Sequence, residues 1–215
     1  VLTDLHVHLR SDDLDATAAE HFTPENAERY REVAGERGVS VLGVSEHVYR
    51  FRQALSVWDH PFWVANALDD LDGYCEFVRD RTDLLLGIEA DYVHGREDRM
   101  ASLLEEREWD YVIGSVHFLL DRALDMRGEW DVWRSGDPDK VWRRYFETLG
   151  EAARTGMFDV LAHPDLVKVW GGGAPTPEGD LRRFYDLAMD GIAESDVAIE
   201  VSTAGLRKPV GEIYP

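Results

Sequence analysis

The chain has a single cysteine, Cys75, among 215 residues. It therefore has no disulfide framework of its own and no thiolate set for a structural zinc, and such cysteine usage suits a reducing, cytoplasmic compartment. The chain also lacks an apolar run of about twenty residues and a basic-then-apolar leader, so neither a membrane span nor a secretory signal is predicted. Basic side chains are few: Lys and Arg number 23 against 43 Asp and Glu, for a formal net charge of -20. A surface with that balance repels nucleic-acid phosphates and anionic lipid, which argues against a broad nucleic-acid footprint but leaves room for a local basic pocket serving a small anion. The acid excess by itself reads as solvated surface and implies no metal site. The length suits one well-buried domain spanning 1–215.

What is present is a recurring pattern in which an apolar β-type run ends in polar residues and an amphipathic helical stretch follows. Strands are expected at 1–8, 39–47, 84–92, 111–118, 160–165 and 197–203. Several are apolar throughout, as strands covered on both faces tend to be. Thr23-Pro24-Glu25, Asp137-Pro138 and Thr176-Pro177-Glu178 each place a capping side chain before a proline, which predicts three helix starts. Further helices are expected over 62–81 and 96–107, and the stretch WGGGAPTPEG at 170–179 reads as a loop. Alternation of this kind predicts an α/β fold with parallel strands. Polar residues close nearly every strand, which favours a barrel, where the C-terminal ends of many strands meet at one mouth.

Those strand ends carry the chemistry. The first ends in DLHVH, so His6 and His8, two residues apart in extended chain, project from one face. The next strands end in VSEH, GIEADY, GSVHF and LAHPD, which places His47, Glu89, His117 and His163 at equivalent points of consecutive units. One buried histidine is ordinarily a satisfied core residue; a set repeated at strand ends favours a shared cation. Imidazoles with a carboxylate and no thiolate suit zinc, manganese or iron. Two such ions about 3.5–4 Å apart can share a bridging hydroxide that attacks phosphorus at neutral pH.

These motifs resemble the polymerase and histidinol phosphatase (PHP) family, whose members open with Asp-x-His-x-His and carry Ser-Glu-His, Glu-x-Asp and His-Pro motifs in this order. The segments SEHVYRF, GIEADY, GSVHF, AHPD and EVSTAGLRKPVGEIYP look most like its stand-alone histidinol-phosphate phosphatases. The resemblance implies a distorted (β/α)7 TIM-like barrel and hydrolysis of a small phosphate monoester, L-histidinol phosphate, with two or three divalent transition-metal ions. It implies that His6, His8 and Glu89 hold one ion, that Glu89 bridges to a second held by His117 and His163, and that His47 binds a third. Glu89 and His117 thereby stand at the catalytic centre. Asp4, Asp91 and Asp165 are outer-shell candidates.

The sequence departs from the family pattern in one respect. Members end with a further strand bearing Asp-x-His, and this sequence reaches Pro215 without it. The expectation is a chain cut short by its last strand and helix. His21 is a candidate for the third ion's remaining ligand, and equally suits an ordinary residue before a helix cap. His60 and His94 read as surface or lid residues. For the substrate phosphate the candidates are Arg50 and Arg207, with Arg52 and Lys208 beside them, because a guanidinium grips two phosphate oxygens at once. Trp58, Trp63, Trp130, Trp133, Trp142 and Trp170, in loops and early helices near the expected mouth, read mainly as core, with stacking on a substrate ring as the alternative for some. The competing readings are a phosphoesterase acting on nucleotides or phosphodiesters, and a non-catalytic metal-binding protein of the same family. The number of subunits does not follow from the sequence.

Overall fold

The computed structural model describes residues 1–13, 16–134 and 136–215. They group into two compact units, residues 1–90 with 98–113 and residues 91–97 with 114–215.

The first unit carries β1 (Leu2–Asp4), α1 (Pro24–Glu36), β2 (Val39–His47), α2 (Leu71–Arg81), most of β3 (Leu85–Asp91), most of α3 (Glu97–Glu105) and the start of β4 (Tyr111–Ser115). Helix α1 starts where the sequence predicts: Thr23 Oγ1 accepts from Asn26 N at 3.1 Å, and Pro24 fills the first turn. Strand β2 pairs in parallel with β1 on one side and β3 on the other. The first strand is shorter than the expected 1–8, yet residues 5–8 still run beside β2. Ser45 N donates to the Val7 carbonyl at 2.9 Å, and Ser45 Oγ donates to that of Leu5 at 3.0 Å.

The expected helix over 62–81 is two helices, Pro61–Asn66 and α2. Between them Asp69 leaves helical pairing to bond the 50–52 segment: its N–H donates to the Arg50 carbonyl at 2.9 Å, and its carbonyl accepts from Arg52 N at 3.0 Å. Asp70 then caps α2 by accepting from Gly73 N at 2.9 Å. Cys75 on α2 is half-buried, and burial pushes its thiol up to about 11, so it is a poor source of thiolate.

Two glycines make room for the floor of this unit. The Tyr111 ring lies over Gly43 of β2 and Gly87 of β3, where a Cβ on either glycine would collide with it. Burial raises the Tyr111 phenol above its ordinary pKa, so it stays a neutral donor, and its hydroxyl bonds the Leu5 carbonyl at 2.7 Å. Gly87→Ala is expected to destabilise the fold by about 1–3 kcal/mol through overpacking. A thermal melt checks this, and an unchanged Tm would mean that the Tyr111 ring has room to move.

The second unit carries the end of β4, α4 (Pro138–Arg154), β5 (Val160–Leu161), α5 (Arg182–Ala193) and β6 (Ala198–Ile199). Strand β5 lies beside β4 through Ala162 N to the Gly114 carbonyl at 2.9 Å, and pairs in parallel with β6. Helix α4 begins at the predicted Asp137-Pro138, with the Asp137 carboxylate accepting from Asp139 N at 3.0 Å. Its Gly150 meets Gly191 of α5 so closely that a Cβ on Gly191 would strike the Gly150 carbonyl. Around that crossing Trp142 packs on Phe184, and Phe146 packs edge-on to Tyr185.

Two expectations shift here. Thr176-Pro177 does not start a helix, because Gly179 at φ +81 turns the chain and Asp180 accepts from Arg182 N at 3.0 Å, so α5 begins at Arg182. The strand expected at 160–165 stops after Leu161, because His163 adopts φ +25 and its carbonyl accepts from Leu166 N at 2.9 Å. Among the described residues no helix is long and apolar enough to cross a membrane.

Candidate metal centre

In the first unit three imidazoles converge on one carboxylate. His6 and His8 continue from β1, His47 closes β2 and Glu89 lies near the end of β3. His6 Nε2, His8 Nε2 and His47 Nδ1 lie 3.1, 3.3 and 2.7 Å from the same oxygen, Glu89 Oε2, and the Glu89 side chain is 0 % exposed. The His47 ring stacks on His8 at 4.2 Å and on Tyr49 at 4.7 Å, both at 19°, and Phe62 meets Tyr49 edge-on. Aromatic packing thus fixes where His47 points.

Burying an ionised carboxylate is costly unless positive charge accompanies it. One oxygen has too few lone pairs to accept good hydrogen bonds from three separate rings. The ligand atoms offered by His6, His8 and Glu89 all lie within 4.8 Å of one another. Nitrogen-rich donors with one carboxylate are the set that suits a divalent zinc, manganese or iron ion. The residues present therefore fit the cation that the sequence predicts. His47, which the resemblance assigns to a third ion, is gathered here onto the same Glu89 oxygen as His6 and His8.

The second unit holds its own group. His117 Nδ1 lies 2.7 Å from Asp91 Oδ1, and the His117 and His163 rings are 5.1 Å apart, all three residues being buried. A carboxylate on one ring nitrogen fixes the tautomer that presents the other to a metal, so Asp91 suits an outer-shell role. His163 is held by its backbone: its N–H donates to Glu200 Oε2 at 2.6 Å, and its carbonyl accepts from the Tyr145 hydroxyl at 3.2 Å. These bonds stabilise a φ that a non-glycine residue seldom adopts.

Other expected site residues lie elsewhere or are otherwise engaged. Arg50, expected to grip phosphate, is a correction. It is 3 % exposed, and its guanidinium donates to Glu46 Oε2, to Asp12 Oδ1 at 2.5 Å and to the Arg10 carbonyl at 2.9 Å. Burial acts to lower its pKa, but Glu46, Tyr49 and Asp12 outweigh that and raise it. It is a permanent cation already matched by carboxylates. Arg207 is exposed, in the turn Ala204–Arg207 of the second unit. His21 uses Nδ1 on the Thr17 carbonyl at 3.0 Å. His60 is buried against Trp58 instead of at the surface, and its ring accepts from Phe62 N at 3.2 Å. His94 is exposed beside Glu151, as a surface residue. Asp4 is exposed, and Asp165 pairs with Lys168 at 2.7 Å.

The sequence reading missed Glu46, Arg10 and Asp69. Arg10 Nη1 pairs with Asp69 Oδ2 at 2.5 Å, both buried. The available signal was the i, i+4 spacing of Glu46 and Arg50, with Glu46 on the opposite face of β2 from His47.

Comparison with known proteins follows the same lines. The PHP domain family model matches residues 4–204. A Deinococcus radiodurans protein named "probable histidinol-phosphatase" is 33% identical over 192 residues, covering 86% of this chain and 70% of that protein. A Clostridium acetobutylicum protein of the same name is 28% identical over 147 residues, 65% of this chain and 55% of its own length. Among solved structures, that of a candidate histidinol phosphatase, hisK, from Listeria monocytogenes aligns at TM-score 0.73 and 17% identity, covering 100% of this chain and 86% of its own. Histidinol phosphate phosphatase from Lactococcus lactis, solved with zinc, L-histidinol and phosphate, aligns at TM-score 0.61 and 15% identity, covering 98% and 75%. At those identities the two structures establish the fold, which is the α/β class expected from the sequence.

Proposed function

We propose, from the premise that this chain belongs to the PHP domain family, that it is a metal-dependent phosphatase that hydrolyses L-histidinol phosphate to L-histidinol and phosphate in the cytoplasm. The observation that carries the metal-dependent part is the convergence of His6, His8 and His47 on one oxygen of the buried Glu89. The substrate rests on the histidinol-phosphatase names of the sequence relatives.

In this reading His6, His8, His47 and Glu89 hold metal in the first unit, and His117 and His163 hold it in the second. Divalent transition-metal ions, two or three of them, would supply a lowered water pKa and charge neutralisation on the phosphoryl oxygens. The chain's own residues supply the rest. Glu89 provides the buried negative charge that draws cations to the site, Tyr49 packs on the His47 ring, and Asp91 keeps the His117 Nδ1 proton in place. Arg207 is the remaining candidate for the substrate phosphate, as an exposed guanidinium.

Phosphate release tests the reading. L-histidinol phosphate is expected to be turned over with a kcat/KM well above that of an aryl phosphate, and equal rates would remove the substrate assignment. Asp91→Asn is expected to weaken metal binding or activity by about 10–100-fold, the usual effect of losing an outer-shell carboxylate. Metal titration of the variant checks this. Arg207→Ala is expected to raise KM for the phosphate monoester with metal content unchanged; unaltered kinetics would remove Arg207 from the site.

A further inference from the structure

We infer that Glu46 is a positioning residue for the His6-x-His8 pair, acting through the backbone immediately after it. The inference rests on the reading of His6 and His8 as metal ligands, and it concerns a residue that touches neither metal nor substrate in that reading. Glu46 is a fully buried carboxylate, 0 % exposed, on β2. Its Oε1 accepts from Leu9 N at 2.7 Å and from Arg10 N at 3.0 Å, the two amides that follow His8. Its Oε2 accepts from the Arg50 guanidinium, which also donates to the Arg10 carbonyl at 2.9 Å. One carboxylate and one guanidinium thus hold both N–H groups and a carbonyl of a two-residue turn.

The consequence is geometric. Residues 5–8 run beside β2 through the bonds of Ser45 to Leu5 and Val7, whose carbonyls take its hydroxyl and its amide. At the far end of the histidine pair the ladder is not continued, because the Leu9 and Arg10 amides go to the Glu46 carboxylate and not to a backbone carbonyl of β2. Glu46 replaces the missing ladder with charge-assisted bonds, which are shorter and stronger than neutral ones. The Arg10 side chain adds a second anchor, with Nε donating to the Ala16 carbonyl at 3.1 Å and Nη1 to Asp69. The His8 imidazole therefore leaves a turn pinned on both sides. A bidentate acceptor at position 46 fixes its approach to Glu89.

The pair also explains why Arg50 must be charged and why Glu46 must be anionic. In Glu46→Gln the side-chain oxygen can serve the two amides or Arg50 but not both, so one side faces donor against donor.

The test uses Co2+ as a spectroscopic probe on the full chain. Glu46→Gln is expected to raise the Co2+ dissociation constant about tenfold and to change the visible absorption of the bound ion, with far-UV circular dichroism unchanged. Parent-like affinity and spectrum in Glu46→Gln would overturn the inference. Amide hydrogen exchange on the unaltered, metal-free protein gives an answer that needs no variant: strong protection of Leu9 and Arg10 is expected, and exchange at the rate of open chain sinks the clamp. Failure of the parent to bind Co2+ would strike the metal reading instead, leaving the exchange result to judge the clamp.

Discussion

Glu89→Gln is expected to lower kcat for phosphate release by on the order of 10^3-fold, because the several kcal/mol that a metal site supplies to the transition state convert at 1.36 kcal/mol per decade. The argument is electrostatic. Glu89 has no exposed side-chain surface, and three imidazole nitrogens approach one of its oxygens within 3.3 Å. Glutamine keeps the shape and removes the charge, so the cluster loses the carboxylate on which its three imidazoles converge. Metal content of the first unit's site is expected to fall with the rate, while circular dichroism stays that of the parent. A variant that retains both kcat and metal would show that Glu89 serves packing alone.

Removing metal is the second large effect. Treatment with a strong chelator is expected to reduce phosphate release to about 1% or less, with zinc, manganese or iron restoring it and magnesium failing to, since an imidazole-rich set selects the transition ions. The same step reads out in stability. An ion supplied at one hundred times its dissociation constant stabilises the native state by about 2.7 kcal/mol, which for a chain of this size is about 5–10 °C in Tm. Chelated protein with unchanged rate and unchanged Tm would favour an enzyme that works without these residues as ligands.

How much of this was legible beforehand follows from where each signal resides. The βα alternation is local, and β2 matches its expected span of 39–47 because its apolar run starts after Gly38 and closes on the polar Ser45-Glu46-His47. The strand-end histidines were legible because backbone parity sets side-chain direction. His6 and His8 share a face by spacing alone, and their meeting with His47 and Glu89 follows from three parallel strands lying side by side. What stayed hidden depended on long-range partners. The break at 67–70 is made by bonds to residues 50–52, the roles of Glu46 and Arg50 by a turn near residue 10, and the late start of α5 by a glycine at positive φ. Arg50 shows the limit most clearly. A guanidinium after a ligand motif reads as a phosphate grip in the sequence, and only the acceptors around it reveal that its donors are used within the fold.

A crystal grown with zinc and measured at the zinc absorption edge tests the central claim most directly. An anomalous peak is expected about 2.0–2.2 Å from His6 Nε2, His8 Nε2 and a Glu89 oxygen, the span of zinc bonds to imidazole and carboxylate. Zinc-soaked crystals with no peak within bonding reach of those three side chains would contradict it.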